Sequence, residues 1–254
     1  YFRAHKYFNN FKIIKCADIN NKAAIECAKV NKIKAVSIKE LLNDKNIKVI
    51  LNLTIPSAHY SVAKLALTHG KHVYSEKPLA INLSDGIKLI KLARKKKLYI
   101  GNAPDTFLGG GIQKSRELLD KKIIGKVKFG NAIFAYPGVQ SYHPNPEPWF
   151  AKKGGGPVID MGPYYLTALV NLLGPVDNVF SQSLKNTKKR IIGIGPRKGK
   201  IIKVECPTTY FSTLSFKNKT ILQAMCHKNL CLQIKKFLSE YLMVYSLNGF
   251  KVLN

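Results

Sequence analysis

The thirty residues from Leu51 to Ala80, LNLTIPSAHYSVAKLALTHGKHVYSEKPLA, constrain the fold more than any other stretch. An apolar run from Ile47 to Leu53 ends in a Thr54-Ile55-Pro56 turn. A helix follows from Ser57 with Val62, Leu65, Ala66 and His69 on one side, and Gly70 is a suitable stop. His72 to Ser75 then reads as a second strand, closed by Glu76-Lys77-Pro78. Strand, helix and strand in that order make a parallel pair. In such sheets ligands bind outside the carboxyl ends of the strands. Both the Thr-Ile-Pro turn and the Glu-Lys-Pro triplet are therefore expected on the rim where a cofactor meets a substrate.

The flanking sequence repeats the alternation. Tyr1 to Asn10 reads as the end of a helix, with Tyr1, Phe2, His5 and Phe8 along one side. Phe11 to Ala17 is a strand ending in Asp18, and Asn20-Asn21 can cap a helix whose Ala24, Cys27 and Ala28 form a small apolar stripe. Ala35-Val36 is a short strand, and Ser37 caps a brief helix through Leu42. The Ile47–Leu53 run has the continuity of a strand covered on both faces. Ser84-Asp85 caps a helix to Lys97, whose basic end Arg94-Lys95-Lys96-Lys97 suits the helix dipole. Leu98 to Asn102 is a last strand. The expectation is a doubly wound parallel α/β sheet, a Rossmann domain over residues 1–105. Such a domain opens with a strand and a Gly-x-Gly-x-x-Gly turn. This chain reads as starting after that turn, so the domain is expected to be incomplete at its N-terminus.

Beyond Pro104 the pattern changes. Gly109-Gly110-Gly111 leads into a helix to about Lys122, and Lys126 to Tyr136 alternates as a strand. A proline-rich loop (143–150) and Gly154-Gly155-Gly156-Pro157 precede a long helix expected from Asp160 to Leu173, stopped by Gly174-Pro175. Strand-like runs follow at 176–184, 200–205, 208–216 and 220–225, with a hairpin turn at 216–220. Residues 106–254 therefore read as an α+β domain with a mainly antiparallel open sheet, incomplete at its C-terminus and with an exposed edge.

Composition excludes several classes. Hydrophobic content of 46% and charged content of 22% are globular values. No apolar run is long enough to cross a bilayer and the opening residues do not form a signal peptide, so a cytoplasmic protein is expected. Cys16, Cys27, Cys206, Cys226 and Cys231 form an odd, scattered set, which suits free thiols in a reducing compartment. Cys226-His227 with Cys231 lacks the second paired cluster of a structural zinc site. The net charge of +28 comes from dispersed lysines without the arginine–aromatic interleaving that reads bases. Weak, salt-sensitive adhesion to polyanions is expected, and specific nucleic-acid recognition is not.

Four places carry possible chemistry. A carboxylate at Asp18 can accept both hydroxyls of an adenosine ribose and would repel a 2′-phosphate, favouring NAD over NADP; equally, it can cap the next helix. Lys77 on the rim can polarise a substrate oxygen or handle its proton, although Glu-Lys pairs are common on surfaces. Asp160 and Tyr164, four apart at a helix start, share a face and could bind a hydroxyl substrate; Asp160 could instead merely cap. Gly193-Ile194-Gly195-Pro196-Arg197-Lys198-Gly199-Lys200 fails the spacing of a phosphate loop and reads as a surface hairpin.

With these residues assembled, the chain resembles the glucose–fructose oxidoreductase / inositol 2-dehydrogenase / rhizopine catabolism (Gfo/Idh/MocA) family from about Phe11 to Pro175. The resemblance rests on Thr54-Ile55-Pro56 with His59, on Gly70-Lys71-His72-Val73 through Glu76-Lys77-Pro78-Leu79-Ala80, and on the segment from Gly154 to Gly162 (GGGPVIDMG). It implies an N-terminal Rossmann domain, a C-terminal α+β domain whose open sheet often makes a homo-oligomer contact, and hydride exchange between NAD(P) and a sugar, cyclitol or related secondary alcohol. By position Lys77 matches the family's catalytic lysine and Asp160 its helix-start aspartate, with Tyr164 as a third catalytic candidate. Thr54, Pro56, His59 and Glu76 would serve the nicotinamide side. Tyr164 stands where many members carry a histidine, and a phenol is a poorer base near neutrality. The departures also allow a rival expectation, a non-catalytic protein that keeps the fold without competent cofactor binding.

Overall fold

The computed structural model describes residues 1–3, 7–8, 10–150 and 154–227. They form two compact units. The first comprises Tyr1–Thr54, Ala58–Ser75 and Ser84–Gly101, and the second comprises Ile55–Ser57, Glu76–Leu83 and the chain from Asn102 onward.

In the first unit, strand β1 (Lys15–Cys16) runs parallel to β2 (Lys34–Ala35). Helix α1 (Asn21–Asn31) joins them and is capped by Asn20, whose side chain accepts from the Lys22 and Ala23 amides. Its small residues Ala24 and Ala28 face inward. Helix α2 (Ile38–Asn43) opens with a full capping box between Ser37 and Glu40. Strand β3 (Val49–Asn52), helix α3 (His59–Thr68) and strand β4 (His72–Ser75) form the parallel unit expected, and Gly70 at φ 74° ends the helix turn. Helix α4 (Leu83–Lys95) and β5 (Ile100–Asn102) complete the order β3-β4-β5. Ile50, Ala63, Ala66, Leu67, Val73, Leu89 and Ala93 are buried in this unit. Lys71 is buried too, and Nζ donates to the Asp44 carbonyl at 2.6 Å and the Ile47 carbonyl at 2.8 Å. It thereby ties down the loop that enters β3.

A six-stranded dinucleotide sheet has the spatial order 3-2-1-4-5-6. Here the described strands of the first unit form two separate sheets, β1-β2 and β3-β4-β5. This arrangement explains two departures from expectation. The strand expected over Phe11–Ala17 contracts to Lys15–Cys16, because it has a neighbour on one side only and Phe11 and Ile14 are exposed. Strand β3 lies at an edge of its sheet, and with Val49 54% exposed it is not covered on both faces. The helix end expected over Tyr1–Asn10 falls partly outside the described residues; Phe2 and Arg3 form a turn.

The second unit carries helix α5 (Gly110–Asp120), strand β6 (Phe129–Ala135), helices α6 (Pro157–Asp160) and α7 (Gly162–Leu173), and strands β7 (Val176–Leu184), β8 (Lys189–Ile191), β9 (Ile201–Lys203), β10 (Thr209–Phe216) and β11 (Ile221–His227). Its main sheet has the order β6-β11-β10-β7. Two of the contacts are antiparallel and β11–β6 is parallel. One face packs Leu214, Phe216 and Leu222 against Leu169, Leu173 and Val176. The alternate residues leave the opposite face open, with Phe129, Ile133, Phe180, Leu184, Phe211 and Ile221 exposed. Across that face Ile133 pairs with Met225, and Met225 with Phe211.

The hairpin of β8 and β9 encloses Ile192, which is fully buried beside Val139, Phe150, Ile202 and Val204. The connection over residues 193–200 is itself exposed except at Arg197, as expected of a surface hairpin. The Gly193 amide donates to the Gln140 carbonyl at 2.7 Å, and Arg197 donates to Asn145 Oδ1 at 3.1 Å and pairs with Glu147. The glycine-rich segment thus staples the proline-rich loop to the unit's second core. The long helix expected from Asp160 to Leu173 is also divided, at Met161. Pro163 has no amide proton to bond back to the preceding turn, so the α-helical ladder cannot run through.

Candidate active site

The second unit brings the Glu76-Lys77-Pro78 triplet to the end of α6. The Lys77 amide donates to the Glu76 carboxylate at 3.1 Å, and the Asn102 side chain donates to the Glu76 carbonyl at 2.9 Å. Pro78 follows through a cis peptide bond. With the preceding Glu76 held in this way, Lys77 directs Nζ to Asp160, donating to Oδ1 at 2.8 Å and to the Asp160 carbonyl at 2.5 Å. The two side chains are only 15% and 11% exposed. The same ammonium lies 5.1 Å from the centre of the Tyr164 ring, within cation–π range. Lys77 therefore meets both Asp160 and Tyr164, which lie more than eighty residues away in sequence.

The glycine turn explains where Asp160 sits. Gly156 adopts φ 93°, its amide donates to the Trp149 carbonyl at 2.9 Å, and its carbonyl accepts the Asp160 amide at 3.1 Å. A β-carbon there would stand 3.2 Å from the Pro207 carbonyl oxygen. Only glycine combines that conformation with that approach. Asp160 therefore closes the short helix α6 with its carboxylate aimed at Lys77, and Tyr164 enters from the first turn of α7.

Sequence reasoning missed two tyrosines here. Tyr136, just beyond β6, donates from Oη to Asp160 Oδ2 at 3.4 Å, so the carboxylate is held through both oxygens. Its ring packs 4.9 Å from Phe134, which packs 4.8 Å from Tyr165. Burial first, then the Asp160 charge, pushes the Tyr136 phenol far above its ordinary range, so it remains a proton donor at any physiological pH. Tyr142 is raised by the same two causes in the same order. No local pattern marks either residue, because each acquires its role from a carboxylate distant in sequence.

The first unit carries the other residues expected at a site. Asp18 is exposed just after β1, and its Oδ1 accepts the Asn20 amide at 2.7 Å; Asn20, not Asp18, caps α1. Thr54 follows β3 and is fixed by Asn52, whose Oδ1 accepts from the Thr54 hydroxyl at 2.8 Å and from its amide at 3.3 Å. Asn52 also donates to the His59 carbonyl at 3.1 Å and to Ser75 Oγ at 3.0 Å. His59 is 1% exposed, with Nε2 2.8 Å from the Thr54 carbonyl, so its ring braces the turn from inside. Asn52 was a legible signal, the one uncharged polar residue in the Ile47–Leu53 run. Pro56 opens a 3₁₀ turn (Pro56–Ala58) and packs with the second unit.

A dinucleotide needs a carboxylate for its ribose and a strand end for its nicotinamide side, and exposed Asp18 after β1 and the braced turn after β3 have that chemistry. The described residues contain no glycine-rich phosphate turn. Among them there is also no cluster of three or more His, Cys, Asp or Glu able to hold a metal, and no helix long and apolar enough to cross a membrane. Cys231, the last member of the cysteine–histidine grouping weighed as a zinc site, lies outside the described residues. His227 Nδ1 is 2.7 Å from Thr209 Oγ1.

The unit with the parallel strands and the unit with the mixed sheet each match a known domain family. Residues 2–103 match the oxidoreductase family with NAD-binding Rossmann fold, and residues 112–232 match the GFO/IDH/MocA C-terminal domain. The chain belongs to the Gfo/Idh/MocA family. It is 36% identical over 128 residues to trans-1,2-dihydrobenzene-1,2-diol dehydrogenase of Xenopus tropicalis, covering 50% of this chain and 38% of the relative. It is 26% identical over 163 residues to D-xylose dehydrogenase of Paenarthrobacter nicotinovorans, covering 61% of this chain and 41% of the relative. The chain thus spans about two fifths of the length of these curated relatives. In fold it resembles an NAD-binding oxidoreductase from Klebsiella pneumoniae (TM-score 0.77, 20% identity, 89% of this chain and 62% of that one). It also resembles the WlbA dehydrogenase from Bordetella pertussis, solved with NADH and UDP-GlcNAcA (TM-score 0.73, 17% identity, 87% and 60%).

Proposed function

We propose that the protein interconverts a secondary alcohol and a ketone on a sugar, cyclitol or cyclic diol, using NAD in preference to NADP. The observation that carries this reading is the buried contact of Lys77 with Asp160 beside the Tyr164 ring. Bound NAD would take the hydride, with both electrons of the carbinol C–H bond, or return it from NADH. Lys77 has three N–H donors. Two are directed at Asp160, and the third is offered to the substrate oxygen. In the reducing direction the ammonium delivers its proton to that oxygen as the carbon gains hydride; in the oxidising direction the neutral amine takes the proton back. Asp160, fixed by Tyr136, aims the amine, and Tyr164 shapes the wall on which the substrate ring lies.

On the cofactor side, Asp18 would accept the ribose hydroxyls, and no arginine follows it to welcome a 2′-phosphate. Thr54, Pro56 and Glu76 would border the nicotinamide, with His59 acting through the turn it braces. The substrate class draws on the activities for which the xylose and dihydrobenzenediol dehydrogenases are named. A homo-oligomer would cover the open face around Phe211 and Ile133. The test is Lys77→Ala assayed with NAD against a panel of pentoses, cyclitols and cyclic diols. Turnover should be lost while NADH binding, followed by calorimetric titration, persists. Unchanged turnover would overturn the assignment.

A further inference from the structure

Two tyrosines serve the Lys77–Asp160 pair with different parts of the side chain. Tyr136 uses its phenol oxygen, which donates to Asp160 Oδ2 at 3.4 Å. Tyr164 presents its ring, whose centre lies 5.1 Å from Lys77 Nζ. Among the described residues the Tyr164 phenol oxygen makes no hydrogen bond. The placement of the ring has a cause in the chain. Helix α6 ends at Asp160 and α7 begins at Gly162, so Asp160 and Tyr164 approach Lys77 from different helices. The Tyr164 amide donates back to the Met161 carbonyl at 3.1 Å. The next residue, Tyr165, packs 4.8 Å from Phe134 of β6, and Phe134 packs 4.9 Å from Tyr136. Successive helix residues point about 100° apart. Tyr165 therefore seats the first turn of α7 on β6 while Tyr164 turns to the lysine. All of these residues lie in the second unit.

We propose that Tyr164 is a positioning residue that holds the Lys77 ammonium through the face of its ring, with no part in the reaction for its hydroxyl. This rests on the assignment of Lys77 as the proton-handling group. An ammonium has three N–H donors, and two of those on Lys77 are directed at Asp160. A polar acceptor at position 164 would compete for the third, the one the substrate oxygen needs. An aromatic face attracts the cation through its quadrupole, and at 5.1 Å it leaves that N–H free to reach the substrate. Lys77 is 15% exposed, so water screens the attraction little. Asp160 thus fixes the ammonium from one direction by hydrogen bonds, and Tyr164 fixes it from another without using a donor.

Nuclear magnetic resonance of the cofactor-free chain tests the contact. Protons at the end of the Lys77 side chain should show an upfield ring-current shift, assigned by loss of the signal in Lys77→Met. The shift should persist in Tyr164→Phe and vanish in Tyr164→Leu. In urea unfolding, the double-mutant cycle of Lys77→Met with Tyr164→Leu should show a coupling of about fivefold in the unfolding constant. The same cycle with Tyr164→Phe should show less than about twofold, because the ring is kept. With an alcohol that the chain oxidises, Tyr164→Leu should lower kcat about fivefold while KM moves less than about twofold. Tyr164→Phe should recover most of that loss. A wild-type chain without the shift, loss of the shift in Tyr164→Phe, or Tyr164→Phe as slow as Tyr164→Leu would overturn the proposal. If Tyr164→Leu folds poorly, the wild-type and Tyr164→Phe spectra still decide. A chain that shows the shift and the coupling yet oxidises no alcohol of the panel would overturn the dehydrogenase reading while supporting the ring–ammonium contact.

Discussion

The Lys77–Asp160 pair permits a quantitative test that needs neither cofactor nor substrate. At 2.8 Å, two unit charges attract by about 6 kcal/mol at an effective dielectric of ~20. Desolvation of both ions takes back a large part, and the residual exposure of 15% and 11% lets solvent screen some of the rest. A coupling energy of roughly 2–3 kcal/mol is what remains, between exposed pairs and fully buried ones. The perturbation is a double-mutant cycle of Lys77→Met and Asp160→Asn. The single changes should differ. Lys77→Met takes the ammonium away from the largely buried Asp160 carboxylate, costing about 3–4 kcal/mol. Asp160→Asn leaves the lysine its bond to the Asp160 carbonyl, so it should cost about 2 kcal/mol. The assay is urea unfolding followed by Trp149, the single tryptophan of the chain. Trp149 packs on the Val139–Phe150–Ile192 cluster and so reports on the second unit. A coupling energy below about 1 kcal/mol, the range of exposed ion pairs, would refute the buried-pair reading and with it the claim that Asp160 aims the lysine.

Two further outcomes follow from other contacts. Asn52→Ala removes four hydrogen bonds from a 1% exposed side chain, so local stability at the Thr54–His59 turn should fall by roughly 2–3 kcal/mol; hydrogen exchange at the Ile55–Tyr60 amides that stays at the wild-type rate would contradict this. Arg197 holds the Glu147 carboxyl below the usual carboxylate range. That stabilisation is present above the unfolded pKa of about 4.3 and is lost as pH falls through the lower folded value. The stability gap between wild type and Arg197→Leu should therefore narrow as the pH drops below about 4, and a gap that widens in acid would reverse the assignment.

What could be read from sequence divides along physical lines. Features carried by adjacent residues were legible, including the Asn20 cap, the Ser37–Glu40 box, the Gly70 stop and the hairpin at Phe216–Thr220. Lys77 and Asp160 were legible because each lies in a motif whose local backbone does the positioning. Pro163 carried the information that the helix from Asp160 must break, and apolar spacing alone concealed it. The strand Lys189–Ile191 was not legible, since its basic residues resemble a loop and its pairing partner lies beyond a nine-residue connection, Ile192–Lys200. Nor was the parallel contact of β6 with β11. Alternation in β6 presents the same faces whichever way its neighbour runs, so direction is set by tertiary packing. Tyr136 shows the same limit, because its function depends on a carboxylate brought from a different helix.

The division into units sharpens the meaning of the Glu-Lys-Pro motif. The triplet directly follows β4 of the first unit, yet Glu76–Leu83 packs with the second. Lys77 therefore shares a unit with Asp160, Tyr136 and Tyr164, while Asp18, Thr54 and His59 belong to the unit of the parallel sheet. Glu76, which accepts the Lys77 amide, shares the second unit, as does Pro56. Asn52 and Asp160 belong to different units, so the effects of Asn52→Ala and Asp160→Asn on stability should add within about 0.5 kcal/mol. A larger departure from additivity would mean that the Thr54 turn and the lysine–aspartate pair are energetically coupled.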